Sequence, residues 1–205
     1  MDDLLLCSPS QALSQIHTTS LLNFLSSKRY RASQQKAQLT QTSVTYLGLK
    51  ITPTTKALTT DRLSLLRDLC PASTGEKILS FLELTGFFWH WVPNYASLAK
   101  PLYTAAKDTP TGLLSSETEV QKAFCNLHSA LLSSSPLFLL NPNLSYHLYT
   151  DEKGGIAFGA LTQPVGPEML PVAFISKQSD PTTRGWFPCL HVQAAATSLY
   201  ADAKS

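Results

Sequence analysis

Strand-forming patterns occur only towards the two ends of this 205-residue chain, and the long stretch between them has a helical pattern. Residues 44–52 and three short runs between 146 and 176 are rich in β-branched and aromatic side chains, which favours strands. From Leu58 to about residue 144, apolar residues recur at helical spacing instead. Strands and helices that are segregated along a chain are typical of the α+β class, which is the fold class predicted here.

The region before the helical stretch predicts an open strand–helix–strand–strand arrangement. Residues 4–7 are an apolar run that predicts a buried strand. Ser8-Pro9 suits an N-cap and a first helical turn, and the apolar spacing behind it predicts an amphipathic helix over residues 9–27. Residues 30–33 predict a short strand, and residues 44–52 predict another.

The helical stretch contains several start and stop signals. Ser73-X-X-Glu76 and Ser116-X-X-Glu119 both match the capping box that begins a helix. A further helix around residues 95–103 is predicted to be interrupted by Pro101. Residues 108–112 have the composition of a linker. These signals predict a set of short helices in the middle of the chain.

The last segment changes character again. Gly154-Gly155 separates two strand-like runs and predicts a tight turn between them. The predicted strands cover residues 146–151, 156–163 and 170–176. Three strands at such short spacing favour an antiparallel meander, and residues 193–203 predict a helix after it.

Composition places the chain among globular proteins without identifying a partner. Apolar residues make up 43% and charged residues 15%, which is enough to form a core. The formal net charge of +2 is too small to indicate a partner. Residues 1–70, however, carry eight basic and four acidic side chains. That excess suits contact with phosphate as well as an ordinary solvated surface.

The cysteines and the apolar runs indicate the cellular compartment. None of the cysteines has Cys-X-X-Cys or Cys/His zinc spacing. They are Cys7, Cys70, Cys125 and Cys189. No secretory signal pattern is present, and no apolar run approaches the ~20 residues of a membrane span. We therefore predict an intracellular protein, cytoplasmic or nuclear and not secreted, with reduced thiols and no membrane partner.

Short motifs, in their order along the chain, resemble the reverse transcriptases of gammaretroviruses and related endogenous retroviruses. Those similar to the palm of that family are Asp2-Asp3 with the leucines after it, Tyr30-Arg31-Ala32-Ser33 with Lys36, and Tyr46-Leu47-Gly48. Those similar to its thumb are Phe81-Leu82, Thr85-Gly86-Phe87, Trp91-Val92-Pro93 and Ala99-Lys100-Pro101-Leu102-Tyr103. Those similar to its connection segment are Thr150-Asp151-Glu152-Lys153-Gly154-Gly155, Leu161-Thr162-Gln163, Pro171-Val172-Ala173-Phe174 and Trp186 with Pro188-Cys189-Leu190.

The resemblance implies three parts. They are a palm remnant over residues 1–54, a helical thumb over 55–110 and a ribonuclease H-like connection domain over 111–205, with the last one incomplete. The implied ancestral reaction is RNA-directed DNA synthesis on a primed RNA/DNA template with two Mg²⁺. Because the catalytic turn stands at the front of the chain, we expect a truncated Pol fragment that is inactive by itself.

The resemblance also implies roles for individual residues. Asp2 and Asp3 would be the carboxylate pair of the catalytic turn and ligands of Mg²⁺. Lys36 would lie beside the leaving pyrophosphate, although a solvated lysine at a strand edge has the same sequence appearance. All three would be vestigial, because two-metal transfer needs a further carboxylate from another strand.

The expected contacts with nucleic acid follow from the same resemblance. Tyr46-Leu47-Gly48, together with Lys36, would contact the primer, with the glycine allowing close backbone approach. An ordinary strand with a bulge glycine is the alternative interpretation. The thumb helix over residues 76–90 would lie along the hybrid, but Glu83 stands where the family usually has glycine, which counts against binding. Asp151 matches the first metal-binding aspartate of a ribonuclease H fold. His191 replaces the glutamate of the next helix, so we interpret Asp151 as a degenerate position.

Three functional hypotheses remain open at this point. The first is a truncated endogenous retroviral reverse transcriptase that is inactive alone. The second is a non-catalytic module that binds an RNA/DNA hybrid. The third is a fragment that binds another Pol chain through apolar surface.

Overall fold

The computed structural model describes residues 3–69, 74–108 and 118–204. The chain divides into two compact units, Met1–Thr59 and Thr60–Ser205. Helices and strands are both present, and each unit combines them as the α+β prediction requires. Among the described residues, no helix is long and apolar enough to cross a membrane.

The first unit consists of one helix and a three-stranded antiparallel meander. Helix α1 spans Gln11–Ser27, and the Ser10 side chain accepts a hydrogen bond from the Leu13 amide at its start. The N-cap is therefore Ser10 and not Ser8, two residues later than predicted. The strands are β1 (Val44–Tyr46), β2 (Leu49–Ile51) and β3 (Thr55–Leu58).

Two predicted strands of the first unit are wrong. Residues 4–7 and 30–33 have no strand structure, and no described strand pairs with either of them. Leu4 is 64% exposed and Tyr30 is 69% exposed. An apolar run of this kind forms a strand only when a neighbouring strand is available to pair with its main-chain groups. Among residues 3–59, Leu58 alone is buried, so the described part of this unit has little core of its own.

The prediction of one strand over residues 44–52 is also wrong. This segment folds back on itself and forms two strands. It forms the β1–β2 hairpin, with Val44 opposite Ile51 and Tyr46 opposite Leu49. The chain then turns again and adds β3, which the sequence pattern missed. The Thr52 hydroxyl closes this second turn by accepting from the Thr55 amide at 2.9 Å. Pro53 lies between β2 and β3, where it interrupts the strand pattern without preventing the turn.

The second unit begins with four α-helices. They are α2 (Thr60–Arg67), α3 (Gly75–Gly86), α4 (Tyr95–Asp108) and α5 (Thr118–Leu132), with a 3₁₀ turn at Trp89–Trp91. Thr74 caps α3 by accepting from the Lys77 amide. The predicted cap residues Ser73 and Ser116, and the linker residues from 109 on, lie outside the described residues. Helix α4 runs through Pro101 without a break, contrary to the predicted interruption.

The predicted meander follows the helices. Its strands are β5 (His147–Lys153), β6 (Ile156–Val165) and β7 (Glu168–Gln178), paired antiparallel in that order. A two-residue strand, β4 (Leu137–Phe138), precedes it and contacts β7. After β7 come a 3₁₀ turn at Pro181–Gly185 and helix α6 (Pro188–Lys204). Helix α6 begins at Pro188, five residues earlier than predicted. Proline suits the first position of a helix, because its backbone angle is already helical there.

The two faces of the meander are covered by different elements. Helix α6 packs on one face, where Ala195 and Leu199 form a buried cluster with Ala157 and Ile175. Residues on the opposite face contact the segment around α4. The Ala96 amide donates to the Ser176 hydroxyl at 2.9 Å.

The segments predicted as thumb and connection therefore pack together in one unit. A second contact on the same face joins the His90 ring nitrogen Nδ1 to the Phe174 carbonyl at 3.3 Å. In the helical layer, the rings of Phe81 and Phe124 lie 4.4 Å apart. The division into palm, thumb and connection stays a prediction.

Candidate nucleic-acid interface

The tip of the β1–β2 hairpin is a two-residue turn formed by Leu47 and Gly48. Both residues have positive φ, 49° and 76° respectively. A two-residue loop with two left-handed residues matches the twist of the flanking strands, and Asn-Gly is its usual sequence. Gly48 adopts this backbone freely, whereas a leucine in it costs about 1–2 kcal/mol. The Leu47 side chain is nevertheless 56% exposed, so no packing within the chain offsets that cost.

Hydrogen bonds hold the hairpin in place from both sides. The Thr59 hydroxyl donates to the Gly48 carbonyl at 3.2 Å, which fixes the turn against the end of β3. On the outer edge of β1, the Gln38 side chain bonds both main-chain groups of Thr45. Its amide nitrogen donates to the Thr45 carbonyl at 2.8 Å, and its oxygen accepts from the Thr45 amide at 2.7 Å. The Gln38 side chain thus takes the place of one more strand residue.

The acidic pair lies near this hairpin. The Tyr46 hydroxyl is 3.5 Å from the Asp3 carbonyl, which is at the limit for a hydrogen bond. Residues 3–6 are not helical. Asp2 lies outside the described residues. The Asp3 main chain lies beside the Tyr46 side chain.

The described residues do not form a metal centre. No group of three or more histidine, cysteine, aspartate or glutamate side chains comes together among them. Carboxylate oxygens are suitable ligands for Mg²⁺. One described carboxylate, Asp3, is too few to hold the metal pair that the resemblance implies.

The first unit carries lysines that differ in burial. Lys36 is exposed in a turn, and no acidic group among the described residues pairs with it. Lys50, on β2, is also exposed. Lys56, on β3, is about half-buried, and this burial lowers the pKa of its ammonium group. The exposed lysines are the ones that can approach a phosphate without a desolvation penalty.

Helix α3 has a clear inner and outer face. Ile78, Phe81 and Leu82 are buried, which agrees with a structural role for the apolar residues of the thumb motif. Glu83 is exposed on the outer face. A carboxylate at this position would repel a nucleic-acid backbone lying along the helix. Phe87 is 59% exposed and does not belong to the core.

Thr85 of the thumb motif belongs to a buried group of hydrogen bonds. Its hydroxyl lies 3.1 Å from the Tyr95 hydroxyl, and both hydroxyls reach the Leu82 carbonyl at 3.4 Å. Burial raises the pKa of Tyr95, while the hydrogen bond with Thr85 opposes that change. This buried polar group ties α3 to α4 and is not available to a ligand.

Asp151 points away from the helix that would carry its metal partner. Side chains alternate along a strand, so Asp151 and Glu152 lie on opposite faces of β5. The Asp151 carboxylate is exposed and accepts a hydrogen bond from the Glu152 amide at 2.8 Å. Glu152 faces α6 instead, with its carboxylate 3.8 Å from Nδ1 of His191 and 2.7 Å from the Gly155 amide. Glu152 was not among the predicted site residues, although the alternation that partly buries Leu148 puts both residues on the same face of β5.

Comparison with known proteins gives a consistent set of relatives. No protein-family model matches the chain. The Gag-Pol polyprotein of baboon endogenous virus (strain M7) is 41% identical over 202 residues, 98% of this chain and 12% of that polyprotein. The Pol polyprotein of feline endogenous virus ECE1 is 40% identical over 202 residues, 98% of this chain and 19% of that polyprotein. The chain thus spans less than a fifth of these relatives.

Solved structures give the same result for the fold. The foamy viral protease-reverse transcriptase dRH in complex with double-stranded DNA matches 96% of this chain and 34% of its own length, with a TM-score of 0.85 and 19% identity. The foamy viral protease-reverse transcriptase in complex with an RNA/DNA hybrid matches 96% of this chain and 27% of its own length, with a TM-score of 0.82 and 19% identity. These likenesses confirm the α+β fold class, and the polyprotein relatives confirm the predicted kinship.

Proposed function

The chain is homologous to one segment of retroviral Pol polyproteins, and on that premise we propose that it holds a template–primer duplex as part of a reverse transcriptase. The proposal assigns the primer contact to the hairpin of Tyr46, Leu47 and Gly48. Lys36 and Lys50 supply positive charge on the same unit. The segment does not complete a polymerase site from its own 205 residues.

The observation that carries this proposal is the exposed, strained Leu47. A non-glycine residue with positive φ costs stability, and such outliers cluster where a ligand is contacted. The turn would be more stable with asparagine at this position, and leucine gains no burial there within the chain. An apolar side chain at a hairpin tip, with Gly48 allowing close approach of the backbone, suits contact with the sugars and base edges of a duplex.

The structural relatives support the choice of ligand. Foamy viral relatives were solved with double-stranded DNA and with an RNA/DNA hybrid. Phosphate contacts by lysine provide affinity without sequence preference, which is what a polymerase needs along its product. Glu83 on α3 opposes binding, so the proposal rests on the hairpin and its lysines and not on the thumb helix.

A salt titration with an RNA/DNA hybrid tests the proposal. We expect the chain to bind a fluorescein-labelled hybrid at low salt, because each lysine–phosphate contact releases counterions. The logarithm of the binding constant should fall linearly with the logarithm of the salt concentration, and fluorescence anisotropy measures it. Absence of binding at low salt would remove hybrid binding as the function of this segment.

We expect no primer extension from a polypeptide of these 205 residues. Asp2 and Asp3 are the only acidic residues among residues 1–59. Transfer by two metals requires carboxylates that converge from separate strands. The assay uses an RNA template, a DNA primer, nucleotides and Mg²⁺ or Mn²⁺, with an intact reverse transcriptase as positive control. Extension that disappears in the Asp2→Asn, Asp3→Asn variant would show that the pair is sufficient, contrary to this expectation.

A further inference from the structure

A groove in the second unit runs along α4. Helix α4 buries Tyr95, Ala99, Leu102 and Ala106, which face the core of the unit. The neighbouring face of the same helix carries Lys100, Tyr103 and Lys107 at spacings of three and four residues. Residues seven apart in a helix lie about 10.5 Å apart along its axis. Two lysines therefore flank Tyr103, whose ring is 50% exposed.

The opposite wall of the groove is formed by the end of β7 and by α6. Ser176, Lys177 and Gln178 contribute from β7, and Asp202 contributes from α6. The groove is open to solvent on one side and has a volume of about 610 Å³. Because the Ala96 amide is bonded to the Ser176 hydroxyl at 2.9 Å, the two walls are held at a fixed separation. The groove is therefore preformed.

The groove extends beyond Lys100 into a second, more polar recess. This recess has a volume of about 390 Å³ and shares Lys100 and Gln178 with the first. Ser179 and Thr183 add hydroxyl groups to its lining, next to the Glu152–His191 pair. The two spaces adjoin at Lys100 and Gln178.

The charges along the first groove are not balanced. Lys177 is neutralised by Asp202, whose two oxygens lie 3.2 Å from its ammonium nitrogen. Within residues 3–69, 74–108 and 118–204, no acidic side chain pairs with Lys100 or Lys107. The lining therefore carries three lysines and one aspartate. Such a lining attracts an anion.

We propose that this groove binds a single strand of nucleic acid, with phosphates at Lys100 and Lys107 and a base stacked on Tyr103. A positive groove interrupted by an aromatic ring is how proteins hold single strands without sequence preference. A volume of this size is typical of a site for a small ligand and suits one or two nucleotides of a single strand. An acidic peptide would satisfy the lysines but would leave the exposed Tyr103 ring without a stacking partner. The site is separate from the hairpin and shares only the chemistry of its ligand with the proposed function.

Anisotropy with a labelled 20-nucleotide oligo(dT) tests this site in the full chain. Lys100→Ser and Lys107→Ser should each reduce the slope of log affinity against log salt by about 0.7, the value for one phosphate contact on a single strand. Tyr103→Leu should weaken binding by about 5- to 150-fold, which corresponds to the loss of one stacked base. Its salt slope should stay unchanged. Lys122→Ser, an exposed lysine on α5, is the matched control and should change neither quantity.

Two outcomes would contradict the proposal that this groove binds a single strand. One is that the Lys100 and Lys107 variants bind oligo(dT) with the same slope as Lys122→Ser. The other is that polyglutamate competes for the groove as well as oligo(dT) does at equal charge concentration, which would assign it to an acidic peptide. Leu47→Asn separates the two proposals, because it should weaken hybrid binding and leave oligo(dT) binding unchanged.

Discussion

Gly159→Ala is expected to lower the free energy of unfolding of the second unit by about 1–3 kcal/mol, the usual cost of overpacking. A Cβ at this position would lie 2.5 Å from the main-chain oxygen of Tyr149 and 3.3 Å from Cδ1 of Leu199. The Leu199 side chain can rotate away, but the Tyr149 carbonyl belongs to β5 and cannot. The β5 and β6 main chains must therefore move apart, and the buried cluster beneath them loses contacts.

Urea unfolding monitored by tryptophan fluorescence measures this loss, because all three tryptophans (Trp89, Trp91 and Trp186) belong to the second unit. Gly185→Ala is the matched control. No atom lies within 4 Å of a Cβ built there, and its φ is not in the left-handed region. Its effect should stay within about 0.5 kcal/mol. Equal unfolding midpoints for the two variants would contradict the assigned contact.

Gly159 also shows which features of the fold local sequence patterns can predict and which they cannot. The meander, its Gly154-Gly155 turn and the helix after it were all predictable from alternation and turn residues, because these signals are local. The reason for a glycine inside β6 is not local. It depends on the Tyr149 carbonyl of β5, and less strictly on the Leu199 side chain, approaching the strand at that position, and no pattern within β6 contains that information.

The errors in the first unit have a different origin. Residues 4–7 and 30–33 have the composition of strands, yet a strand also needs a partner, and no described strand pairs with them. The single strand expected over residues 44–52 failed for the opposite reason. Leu47 is an ordinary strand residue by propensity, so the left-handed turn it forms with Gly48 could not be read from composition.

The candidate site was predicted in part. The hairpin residues and Asp3 were named from the resemblance, and the structure shows the Asp3 main chain beside Tyr46. The pairing of Glu152 with His191 did not follow, because the motif directs attention to Asp151 on the other face of β5. The groove of Lys100, Tyr103 and Lys107 was also missed. Its lysines are spaced along one helix, but the wall opposite them comes from β7 and α6, far along the chain.

Leu47→Asn is expected to stabilise the hairpin and at the same time to weaken hybrid binding. Asparagine tolerates the left-handed conformation, so the strain of about 1–2 kcal/mol at this position should be largely relieved. The β1 and β2 amides should then exchange with solvent several-fold more slowly, which hydrogen-exchange mass spectrometry measures. Burying a leucine side chain against a ligand contributes about 1.5–3 kcal/mol. Affinity for the RNA/DNA hybrid should therefore fall by about 10- to 150-fold.

The opposite signs of the two effects make the result specific. A variant that loses binding because it unfolds would show faster exchange, whereas Leu47→Asn should show slower exchange together with weaker binding. Leu39→Asn is the matched control, since Leu39 is 52% exposed in the same unit and has no positive φ. It should leave both quantities unchanged. Unchanged hybrid affinity in Leu47→Asn would mean that leucine at the tip serves no ligand, and the primer contact assigned to this hairpin would have to be abandoned.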